Sequence, residues 1–208
     1  TVSQKISEKK SEKQSLTQIQ EKVQKLQETY QKIDMDLCGE YASKCSDISL
    51  DILNGLKQQY QVLQQQNQES VGVLKKQQLQ ASIQEIVEKI QEEISAIEKK
   101  YQEFNQAKQN TLNTLQQKIT IDTFGAFEKN QVINTLKQSC EQAKNTSLLT
   151  EILKTQEQKF QEIEKNVLEA EKYFEKQKQQ ALETYKNELN SRQTQFLSKN
   201  DVKKFNAA

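Results

Sequence analysis

Cys38, Cys45 and Cys140 are the residues in this sequence best suited to covalent chemistry, and the chemistry open to them is disulfide formation. The chain has no His. Ser-His-Asp and Cys-His nucleophilic arrangements are therefore excluded, as is His-ligated zinc, and three Cys alone do not complete a Cys₄ site. On a continuous helix Cys38 and Cys45 stand about 10.5 Å apart along the axis. That exceeds the roughly 7 Å Cα separation a disulfide tolerates, so they can pair only if Gly39 breaks the helix. Folding the long helical segments back at their turns places Cys140 nearer the level of Cys38 than of Cys45. A Cys38–Cys140 disulfide is the expectation, with Cys45 free or intermolecular; the alternative is three reduced cysteines packed in a core.

The carboxylates offer less. Asp34/Asp36, Asp47/Asp51 and Glu92/Glu93 are close pairs on a polar helical background, and read as solvated faces. At most they contribute weak calcium sites between packed copies, without the spacing of an EF-hand loop. Gly39, Gly55, Gly72 and Gly125 are too scattered to form a phosphate-binding loop. Asn145-Thr146-Ser147 matches a glycosylation sequon, which a chain this rich in Asn, Ser and Thr contains by chance. No catalytic, cofactor-binding or metal-binding residue is assigned, and an enzyme is not expected.

The elements that must position these residues are long helices. The 208-residue chain has no Pro, no Trp and four Gly, while Gln occurs 35 times and Lys and Glu are frequent. Helix breakers are missing and good helix formers abound. Apolar residues make up 34% of the chain, against about 45–50% for a typical soluble domain. That suffices for narrow seams between helices and not for a thick core. The net charge is +1, with Lys and Glu interspersed; Glu21/Lys25 and Glu85/Lys89 have the favourable i,i+4 order. A basic stripe is absent and Arg192 is the single Arg, so nucleic acid is not an expected partner. No apolar run approaches the roughly 20 residues needed to cross a bilayer, so a membrane is not expected either.

The central seam comprises Leu79, Ile83, Ile86, Ile90, Ile94, Ile97, Tyr101, Phe104, Leu112, Leu115 and Ile119, with Lys108 filling one step. Leu79, Ile90, Tyr101 and Leu112 recur every eleven residues, about 3.67 per turn, which keeps one stripe on one face of a nearly straight helix. Such a rod must bury its stripe against partner helices. Before it, Leu16, Ile19, Val23, Leu26, Tyr30, Ile33 and Leu37 form a heptad seam. Helical spacing continues through Leu37, Tyr41, Cys45, Ile48 and Ile52, which favours one helix kinked at Gly39 over a break there. Gln64–Ser70 lacks an apolar anchor and marks a first turn, and residues 119–127 mark a second. Ser147 is a candidate N-cap for a last helix ending near Ser198. Its seam runs through Phe160, Ile163, Val167, Phe174, Tyr185 and Leu189, with Gln156 and Gln177 at core-register positions. The fold expected is all-α: an elongated antiparallel helical bundle or coiled coil in a single domain, residues 1–208, of three long, partly kinked segments at about 3–65, 70–121 and 126–198. The third segment is long enough to overhang its partners, and overhanging seams are places for other copies to pack.

The Gln-rich, Lys/Glu-rich, Arg-poor helical stretches Gln14–Gln31, Gln58–Gln68 and Gln156–Gln180 resemble ciliate protein sequence. In size, helical content, few cysteines and a start at Thr1 consistent with propeptide removal, the chain is similar to granule lattice proteins of mucocysts and to trichocyst matrix proteins. That resemblance implies proteolytically matured, secreted proteins that pack into a crystalline granule core and expand with calcium on exocytosis. Those families tend to be acidic, and this chain is near neutral. The functional expectation is a structural protein assembling with copies of itself, or with related helical proteins, in the lumen of a secretory granule and extracellular after release. The alternative is a cytoskeletal or axonemal coiled-coil adaptor.

Overall fold

The computed structural model describes residues 2–119 and 125–205. It is an all-α helical bundle. In chain order the helices are α1 (Val2–Gln31), α2 (Met35–Lys44), α3 (Asp51–Glu69), α4 (Val73–Gln117), α5 (Ala126–Gln142) and α6 (Thr146–Phe205), with no strand among the described residues. Packing divides the chain into two compact units. One comprises Thr1–Thr114 with Gln138–Glu151, and the other Leu115–Lys137 with Ile152–Ala208.

The 45 residues of α4 form one unbroken helix. Its seam is buried at Leu79, Ile83, Ile86, Ile90, Ile97, Phe104 and Leu115, and half-buried at Ile94, Tyr101 and Leu112, while Ile119, the last residue of the expected stripe, lies just beyond the helix end at Gln117. Val87 and Thr111 widen the buried face beyond the expected stripe. In the first unit the contact register gives the direction of each neighbour. Tyr30 stacks on Tyr60 at 3.7 Å between ring centroids, while Val23 and Gln24 share a groove with Asn67 and Gln68, so α1 runs antiparallel to α3. The turn at Ser70–Gly72 reverses α3 into α4, and the left-handed φ of 107° at Gly72 suits a residue without a Cβ. Tyr41 of α2 stacks on Tyr101 of α4 at 4.2 Å.

The first segment departs from the kinked rod expected over 3–65. The helix breaks at Lys32–Asp34 and again at Cys45–Leu50, and Gly39 sits inside α2. The physical reason lies in the caps. The Asp34 carboxylate accepts the Leu37 amide at 3.1 Å and starts α2, which ends with Cys45 in an extended conformation. The chain then reverses at Cys45–Leu50, a turn that unbroken spacing of apolar residues concealed. The start and end of the last helix also differ from expectation. Asn145, not Ser147, is the cap, its side-chain oxygen accepting the Leu148 amide at 2.8 Å. The helix continues past Ser198 to Phe205, since Ser, Lys and Asn do not by themselves stop a helix. The expected second turn falls largely on residues 120–124, outside the described ones.

In the second unit Gly125 takes a left-handed φ of 79° just before α5. A Cβ built there would stand 2.9 Å from Ile163 and 3.1 Å from Val167, so close approach of α6 also demands glycine. The Lys129 side chain, 12% exposed, lies 5.2 Å from the Phe160 ring centroid and donates to Glu164 at 2.7 Å, which fixes α5 against the residues 160–164 of α6.

Candidate functional site

The three cysteines are free thiols, all buried. Helix α4 serves as a ruler for their positions. The carboxylates acting on Cys38 include Glu93 and Glu98, whereas the Cys140 thiol points at the Lys108 carbonyl oxygen, 3.8 Å away. Ten residues of α4 separate Glu98 from Lys108, about 15 Å of rise. The Cys38–Cys140 disulfide expected from the sequence is not present: both thiols are free, and their neighbours lie at different levels of α4. Cys45 is the nearer of the two in register: its neighbour Ser46 donates through its amide to the Lys144 carbonyl at 2.7 Å. Burial pushes all three thiols above the ordinary value of 9.0, with Glu98, Asp34 and Glu93 adding to the effect at Cys38. A thiol held neutral is a poor nucleophile, so the cysteines act here as small apolar core residues.

Two of the paired carboxylates sit at helix starts: Asp34 caps α2, and Asp51, in the first turn of α3, accepts from the Ser49 hydroxyl at 2.8 Å, whereas Glu92 and Glu93 lie in the middle of α4. Asp47 reaches across the fold, accepting from the Thr146 amide and hydroxyl, both at 2.9 Å, and places negative charge at the N-terminus of α6. Ser46 and Asp47 together tie the α2–α3 connection to the α5–α6 connection. Lys108 does the complementary work at the C-terminus of α5, where its ammonium donates to the Glu141 carbonyl at 2.5 Å. That accounts for a lysine in the central seam. Among the described residues there is no group of three or more His, Cys, Asp or Glu side chains placed to hold a metal ion. A groove between α1 and the α3–α4 turn is lined mostly by the amides of Gln20, Gln24, Gln27, Gln31, Asn67 and Gln68, with Glu28 and Lys76 as its charged groups.

What remains is a surface. Along α6 the seam is buried or half-buried at Leu149, Ile152, Gln156, Phe160, Ile163 and Val167, and every residue from Leu168 to Gln195 is exposed. Phe174 is 77% and Tyr185 63% exposed, with Leu182 and Leu189 also out in solvent. The two glutamines in the seam thus differ: Gln156 is buried in the core, and Gln177 lies beyond it. The exposed stripe continues the face that Phe160, Ile163 and Val167 present, because 3- and 4-residue steps carry it down the same side of the helix. The sequence shows the stripe; only the structure shows where its cover stops. No helix among the described residues is long and apolar enough to cross a membrane. Comparison with family models, with characterised proteins and with solved structures yields no match for this chain.

Proposed function

We propose that this chain is a structural protein that assembles with copies of itself, through helix packing, into the ordered core of a secretory granule released on exocytosis. The observation that carries the reading is the uncovered apolar stripe of α6 after Val167. A helix of 60 residues gains most of its stability in water by burying an amphipathic face, and residues 168–195 of this one are all exposed. Large aromatic and aliphatic side chains set at helical spacing along solvent fit repeated packing against other helices. The resemblance to mucocyst and trichocyst core proteins supplies the granule, the maturation and the calcium linkage. With a net charge of +1, calcium would act at weak carboxylate sites formed between copies.

Purified protein is expected to form ordered assemblies, seen by electron microscopy, whose stability changes with calcium or pH. A persistently monomeric, calcium-indifferent state overturns the reading. Antibody labelling is expected in dense secretory granules and lost on stimulated release; labelling of the axoneme or cytoskeleton instead would favour a filament adaptor.

A further inference from the structure

We infer that the exposed half of α6 pairs antiparallel with the same stretch of a second copy, about a twofold axis between Ala181 and Leu182. This rests on the self-assembly reading and names its contact. At 100° per residue, Phe174, Lys178, Ala181, Leu182, Tyr185 and Leu189 lie within about 50° of one direction, with Glu171 and Arg192 on the same face at its ends. These residues are exposed. The face is symmetric in position: Glu171 and Arg192, Phe174 and Leu189, Lys178 and Tyr185, and Ala181 and Leu182 are each equidistant from the midpoint. Reversing a second copy about that midpoint brings each residue level with its counterpart. Phe174 then packs on Leu189, Lys178 meets the Tyr185 ring, small Ala181 meets large Leu182, and Glu171 faces Arg192 at both ends.

Charge selects this arrangement over its competitor. In-register parallel pairing would set Glu171 against Glu171, Lys178 against Lys178 and Arg192 against Arg192, like charge on like charge at every charged position of the face. The antiparallel pairing converts the end contacts into opposite charges. Lys178 also has Glu175 at 3.5 Å on its own helix, a solvent-exposed pair that leaves the lysine free to shift toward a tyrosine ring. The paired stretch of about 22 residues is some 33 Å long, beyond the length at which an isolated helix is marginal.

Three single-cysteine substitutions in the full chain test the register by mild oxidation and non-reducing electrophoresis, against the unsubstituted chain. Ala181→Cys places its thiols within about 1.5 Å in axial level across the axis, so a covalent dimer is expected. Leu189→Cys alone places them about 22 Å apart and should not cross-link to itself, whereas a mixture of Phe174→Cys and Leu189→Cys chains should. Self-cross-linking of Leu189→Cys as readily as Ala181→Cys means parallel pairing and overturns the inference. In sedimentation, Glu171→Arg is expected to weaken dimerisation roughly 5- to 10-fold, and Glu171→Arg with Arg192→Glu to restore it. If Phe174→Glu/Leu189→Glu protein still forms ordered assemblies, this contact fails while the self-assembly reading stands. If the unsubstituted chain is monomeric throughout, both fail.

Discussion

Asp47 shows how a single side chain takes on a role that its neighbours in sequence do not reveal. As half of an acidic pair it looks solvated, yet it accepts two hydrogen bonds from Thr146, 99 residues away. Asp47→Ala is expected to destabilise the fold by about 0.5–2 kcal/mol, the range for losing a helix N-cap, measured by urea denaturation. Gly125→Ala should cost about 1–3 kcal/mol, because the added methyl meets Ile163 while the backbone stays left-handed. The buried thiols and the buried or half-buried tyrosine hydroxyls predict an alkaline limit to stability. Burial raises Cys38, Cys45 and Cys140 above 9.0, and raises Tyr30, Tyr41 and Tyr60 above 10.0. Each folded group holds its proton more tightly than in the unfolded chain. Its stabilisation is present in full below those ordinary values and is lost as pH rises through them toward the folded values. The thermal midpoint should therefore fall as pH rises above about 9, and stay flat if these groups are solvated.

At the scale of elements, α4 was legible because one physical signal dominated it. An eleven-residue apolar repeat without Pro or Gly leaves no competing conformation, and its seam residues lie on the buried face. Ile90 has no exposed surface, so Ile90→Ala should lose about 2–5 kcal/mol. Phe174→Ala in dilute monomer should change stability by less than about 0.5 kcal/mol, because nothing covers that ring. The region around Gly39 departs from the expected kinked helix for an equally physical reason. Apolar residues at helical spacing cannot distinguish a continuing helix from one that stops and resumes with the same face inward. Caps decide that, and Asp34 and Asn145 are capping residues whose action depends on the local backbone. Gly39 lies within α2 with nothing within 4 Å of an added Cβ. Gly39→Ala is accordingly expected to stabilise the protein by about 0.5–1 kcal/mol; a hinge at that position would give the opposite sign.

Over the whole molecule, buried contacts are distributed unevenly along the chain. They concentrate on α4 and its neighbours, and residues 168–195 of α6 are all exposed. Hydrogen exchange should follow that division. In dilute solution, amides of residues 168–195 are expected to exchange far faster than those of residues 83–115, since an uncovered helix opens locally without global unfolding. Raising the concentration into the associating range should slow exchange in 168–195 selectively. Uniform protection along α6 in a demonstrably monomeric sample would contradict its exposure.

The sequence by itself determined that the chain is helical, where its longest seam lies and that His-based chemistry is absent, because residue type and period act locally. It also exposed a last helix longer than its partners. Only the tertiary structure decided the reversal at Cys45–Leu50, the separate levels of Cys38 and Cys140 along α4, the hydrogen bonds of Asp47 to the first residue of α6 and the exposure of α6 over residues 168–195. Those outcomes depend on which segments meet across long sequence separations, and no local periodicity encodes that register.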